Sequence, residues 1–172
     1  MRDYFIKMAQ NNAWANGVLF AACQALSEDA IWAKRSGFFG SIGRTLNHIC
    51  EVDLYYVDAL EEGGAGRAVY EREDIFDLAV LQDAQADVDE RLIRFCKGLS
   101  ADTLNEMRDT ERPDRMTQER VDWLLLHLIQ HDIHHRGQVH AMLSEAGVKP
   151  PQLDDFYLDD GRVETAKPFW EN

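Results

Sequence analysis

The chain is poor in the residues that interrupt helices or staple folds. It has only four prolines in 172 residues, and none falls between Val121 and Leu143. Proline breaks helices, so long uninterrupted ones are open to this sequence. Cys23, Cys50 and Cys96 are odd in number, far apart and in no CxxC pair. That spacing offers neither a disulfide framework nor a thiolate metal knuckle, and free buried thiols in a reducing, cytoplasmic setting are expected. No run approaches the ~20 apolar residues that span a bilayer, and the opening MRDYFIKMAQNNAW holds no signal-peptide core. Basic residues are scarce, 18 against 31 acidic, for a formal charge of −13. Such a field repels polyanions, so neither nucleic acid nor membrane is an expected partner.

Apolar content of 45% suffices for one core. Four stretches repeat apolar residues at spacings of three and four. The first, from about Asp3 to Leu26, turns Phe5, Met8, Ala9, Asn12, Ala15, Asn16 and Leu19 to one side. Asn12 and Asn16 are poor interior helix residues, so they serve either a polar contact between helices or a site. The second starts behind Ser41 as N-cap and ends at the glycines from Gly63 to Gly66. It aligns Ile42, Leu46, Ile49, Val52 or Asp53, Tyr56 and Leu60, with His48 beside that stripe.

The third, Phe76 to Gly98, turns Leu78, Leu81, Ala84 or Gln85, Val88, Leu92 and Phe95 inward. Asp83, Asp87, Asp89, Glu90, Arg91 and Arg94 are expected on its solvated face. Leu99 to Thr117 reads as a long loop with room for a short hairpin, and Thr117 as the cap of the fourth helix. That helix stops at Gly147 and Pro150-Pro151. The expected fold is all-α: an antiparallel four-helix bundle with a long loop between helices three and four and a C-terminal tail. One domain over residues 1–172 is expected, the bundle spanning 3–147 and the tail 148–172. In the tail, Phe156, Tyr157, Phe169 and Trp170 are expected to pack onto the bundle or a partner subunit.

Five of the six histidines lie in the fourth helix. Successive residues advance by about 100°, so His131 and His135 sit about 40° apart on one face, with His127 about 40° to the other side. Gln138 falls close to His131, His134 lies on the flank, His140 points away and expected exposed, and Arg136 is off the stripe, in a salt bridge or at a subunit contact. Two imidazoles one turn apart can share a metal ion, as in H-E-x-x-H, but Asp132 stands where that motif has its glutamate. His48 is the one histidine elsewhere, and with His131 and His135 it makes a donor set suited to zinc or nickel, with positions left open. His127, His134, Gln138 and Asn16 are candidates for a second layer or the site mouth. The plainer alternative is a polar network in the core without metal.

NNAWANGVLF at 11–20, TLNHICEVDLYY at 45–56 and HLIQHDIHHRGQVHAML at 127–143 carry a resemblance. The sequence resembles the DinB/YfiT-like family of bacterial four-helix-bundle metal-binding proteins, over most of residues 3–147. The resemblance implies one divalent metal ion on His48, His131 and His135, and a homodimer. It further implies a transferase that uses a low-molecular-weight thiol, such as bacillithiol or mycothiol, on a small electrophilic substrate. A non-enzymatic metal-binding stress protein or sensor, or a metal-dependent hydrolase, would use the same centre. No catalytic base is identified from the sequence.

Overall fold

The computed structural model describes residues 1–158 and 163–170, so residues 159–162 and 171–172 of the expected acidic tail lie outside it. Four long helices carry the architecture: α1 (Arg2–Cys23), α3 (Ile42–Glu61), α4 (Leu78–Gly98) and α5 (Val121–Glu145). A one-turn-and-a-half helix, α2 (Glu28–Trp32), interrupts the first connection, capped by the Ser27 hydroxyl. An antiparallel hairpin, β1 (Met107–Glu111) and β2 (Met116–Arg120), occupies the loop before α5, and a final turn, α6 (Lys167–Trp170), lies in the tail. No helix among the described residues is long and apolar enough to cross a membrane.

The helix starts follow from local chemistry. Ser41 is extended and accepts the N–H of Arg44 at 3.2 Å, which satisfies one of the free amides of α3. Asp77 does the same for α4 through the amides of Ala79 and Val80. The start of α5 differs from expectation. Thr117 does not cap it but lies in β2, opposite Thr110, with the two hydroxyls 2.7 Å apart. Strand pairing claims that residue, and the first amide of α5, on Val121, donates instead to the carbonyl of Glu106.

Direction can be read from side-chain pairs. Asn12 and Asn16 meet Asp89 while Gln24 meets Gln82, so α1 and α4 are antiparallel. His48 meets His131 while Tyr56 meets His127, so α3 and α5 are antiparallel too. Asp53 with Gln85 and Glu61 with Arg91 make α3 and α4 run together. The bundle thus runs up, down, down, up, and α1 lies parallel to α5.

The core is split. One apolar cluster gathers Phe5, Tyr55, Val57, Leu60, Leu92, Leu125 and Leu128. The other gathers Leu19, Phe20, Ile42, Leu46, Leu81, Val139 and Leu143 toward the opposite end. Between them a polar layer crosses the bundle: Asn12, Asn16, Asp53, Gln85, Asp89, Asp132 and Arg136, all buried. Asp89 is therefore not on the solvated face where its sequence neighbours place it. It is 4% exposed, because α4 packs against both α1 and α3 and so buries more than one apolar stripe. Arg136 is likewise interior rather than at the surface, and its expected salt bridge is made inside the bundle, to Asp132 at 3.7 Å.

The tail returns to its own bundle. Phe156 is fully buried against Trp14 at 5.4 Å between ring centroids, and Trp170 stacks on it at 5.6 Å. Trp14 also donates from its indole to the Thr165 hydroxyl.

Candidate metal centre

Antiparallel packing of α3 on α5 brings His48 against His131 and His135 at the level of the polar layer. Ring centroids are 4.4 Å apart for His131 and His135, 4.7 Å for His48 and His135, and 5.0 Å for His48 and His131. One ring nitrogen from each lies within 4.8 Å of the others. The Nε2 atoms of His48 and His131 are 3.0 Å apart. Two nitrogens each about 2.0–2.1 Å from one ion, at roughly 90–110°, stand about 2.9–3.4 Å apart, so this pair fits a shared ion.

Neighbours aim the rings. His135 Nδ1 lies 3.0 Å from the Gln138 side-chain oxygen. A proton donated there leaves the Nε2 lone pair for the cluster. The Gln138 amide nitrogen lies 3.1 Å from His134 Nε2, so Gln138 ties His134 to His135. On His131, Nδ1 faces the Asp132 carboxylate at 3.4 Å. Phe39 covers His48 at 4.1 Å between centroids and reaches His135 at 5.4 Å.

Burial, then the positive charge of His131 and His135 when protonated, lowers the His48 pKa to about 4. Burial also lowers His135, against the opposing pull of its hydrogen bond to Gln138. Both rings are thus neutral near pH 7, the form that ligates metals.

The other candidate residues are placed differently. His127 stands beyond the trio, 6.3 Å from His131 and 4.9 Å from Tyr56 by ring centroids. Arg112 of the hairpin turn donates to the Tyr56 hydroxyl at 3.4 Å, so that side of the site is framed by the hairpin. His134 is exposed beside His135. Asn16 is buried in the polar layer, donating to Asp89 at 3.0 Å and accepting from Arg136 at 3.0 Å. His140, expected exposed, is half-buried, its Nε2 3.2 Å from the Pro151 carbonyl.

Sequence reasoning missed three contributors: Phe39, Asp132 and Asp53. Ligand atoms of Asp53, His131 and Asp132 also lie within 4.8 Å of one another. One oxygen of each aspartate is buried with no hydrogen-bond partner among the described residues. Burial, with Asp132 and Asp89 nearby, raises the Asp53 pKa well above the usual carboxylate range. Asp89 is pushed up to about 7, also chiefly by burial. A signal for Asp53 existed, since it competed with Val52 for the inward position of its helix. Phe39 sits in a loop without periodicity and left none.

Helical bundles that build metal sites do so with side chains projecting from facing helices, and this chain has that arrangement. It belongs to the DinB family, whose sequence model matches residues 1–164. It is 25% identical to protein DinB of Bacillus subtilis (strain 168) over 174 residues, covering 96% of this chain and 100% of that protein. A DinB-like protein of Bacillus cereus ATCC 10987 superposes with a TM-score of 0.63 at 16% identity, over 81% of this chain and 90% of that one. The DinB-like YjoA of Bacillus subtilis gives 0.60 at 16% identity, over 85% and 96%. At that identity these two structures speak to fold alone.

Proposed function

We propose that residues 1–172 form a single domain that holds one divalent ion, zinc or nickel, on His48, His131 and His135. We further propose that this centre serves a metal-dependent transferase joining a low-molecular-weight thiol to a small electrophile. The observation that carries the reading is the convergence of three imidazoles, two of them 3.0 Å apart at Nε2. A bound divalent ion would lower the pKa of a thiol or water in an open position. In the transfer, the thiol gives its proton to solvent and its sulfur bonds the electrophilic carbon as the bond from that carbon to the leaving atom breaks. That atom keeps the bonding pair, departing as chloride from chlorodinitrobenzene or, with an epoxide, staying on the product as an oxygen that takes up a proton.

The chain's own residues shape that site. Gln138 fixes the His135 ring, Asp132 faces the far nitrogen of His131, and Phe39 keeps water from one side of His48. The thiol must come from outside, because burial pushes Cys23, Cys50 and Cys96 up to about 12 and leaves them protonated. Hydrolysis is less well supported: the nearest carboxylates, Asp53 and Asp132, are buried inside the bundle rather than facing a water. A homodimer also belongs to this proposal. Tyr4 on α1 and Trp123 and Leu126 on α5 are exposed at one end of that helix pair, where a second copy would cover them.

Elemental analysis of tag-free protein tests the centre: about one ion per chain is expected, lost in His48→Ala and His131→Ala. Absence of metal, and of uptake on titration, would sink the whole reading. The loaded protein should then consume thiol with an epoxide or chlorodinitrobenzene faster than His135→Ala does. Metal without turnover would leave a sensor or store.

A further inference from the structure

On the side of α5 turned away from His131 and His135, a cavity of about 600 Å³ lies between α1, α5 and the tail, with His140 on its wall. Its walls include Met8 and Ala15 of α1, Ile133 and Gly137 of α5, and Leu153 and Tyr157 of the tail. Arg136 also lines it, though this arginine is only 4% exposed. One of its terminal nitrogens, Nη1, is committed inward, to Asn12, to Asn16 at 3.0 Å and toward Asp132 at 3.7 Å. Its Nε and Nη2 have no acceptor among the described residues. A guanidinium stays charged and carries five N–H donors, and neither Nε nor Nη2 is among the fully enclosed unpaired polar atoms, so both remain open to a ligand in the cavity that Arg136 lines.

We infer that this cavity binds a small amphipathic carboxylate. The two oxygens accept from Nε and Nη2, whose fork matches a carboxylate edge. The apolar chain lies along Met8, Ile133 and Leu153. The volume falls within the roughly 300–1,000 Å³ of small-molecule sites, which are likewise mostly apolar with a few placed polar groups. Asp154, the carboxylate on the lining, is engaged by the Gln152 amide and favours an uncharged far end on the ligand. The inference is independent of the metal centre.

Calorimetric titration of the full chain with sodium octanoate and, separately, 1-octanol tests it. Octanoate is expected to saturate one site, with octanol at least about tenfold weaker because it lacks the charge-assisted pair. Arg136→Leu removes the fork but strips Asn12, Asn16 and Asp132 of a partner, so a second variant is needed. A Cβ built at Gly137 meets nothing within 4 Å, so Gly137→Leu projects into open space at the cavity wall. It is expected to weaken octanoate at least about tenfold while melting temperature and metal content hold or rise. No saturable octanoate binding, equal binding of octanol, or full binding by Gly137→Leu would each overturn the inference. So would octanoate binding that disappears as rising protein concentration drives self-association, which would assign the cavity to a second copy.

Discussion

His48 is the residue at which environment most changes ordinary chemistry. Its folded pKa is lowered to about 4, while an unfolded histidine titrates near 6.5. Between those values the unfolded chain binds the proton and the folded chain does not, so acid favours unfolding. The contribution of His48 to stability is therefore complete above about pH 6.5 and is lost as pH falls toward 4. Between those limits, acidification should lower the urea midpoint of metal-free protein, measured in chelator, more in the wild type than in His48→Gln. Asp89 works in the opposite sense. Its pKa is raised to about 7, so its burial favours the fold at low pH and opposes it as pH rises through 7. The difference between the two proteins, rather than the raw slope, isolates the imidazole. An identical slope in both would show that His48 titrates normally.

Among the elements, the polar layer ties α1 to α4 through Asp89, which accepts from Asn12 and Asn16 of α1 and from Gln85 of its own helix α4. Asp89→Ala should cost about 3 kcal/mol or more, since it leaves several buried amides unpaired. Asp87→Ala, two residues away and exposed, should stay within about 0.5 kcal/mol. Equal effects in urea unfolding would return Asp89 to the surface. This pair also marks where sequence reading stops. His131 and His135 were legible because one proline-free helix fixes their separation, and the bundle because four apolar periodicities repeat. The burial of Asp89 was not, because its partners are 73 and 77 residues away and the charged run around it looks solvated. Thr117 misled for a related reason. A polar two-stranded hairpin has no alternating pattern, so a strand residue was indistinguishable from a cap.

For the whole molecule, the tail decides how far the cooperative unit extends. Phe156 is fully buried among Trp14, Phe169 and Trp170. Phe156→Ala should therefore lower global stability by about 3 kcal/mol, read as a downward shift of one thermal transition. A separate early transition with an unmoved main one would make the tail an appendage. The up, down, down, up path has a further consequence, in time rather than space. His48 and His131 are 83 residues apart, and α3 meets α5 only after the whole of α4 and the hairpin have been made. A nascent chain that ends at Gly98 has one of the three histidines. The proposed ion would therefore find its full donor set only as the last long helix docks, and metal loading would report that synthesis and packing of the bundle are complete.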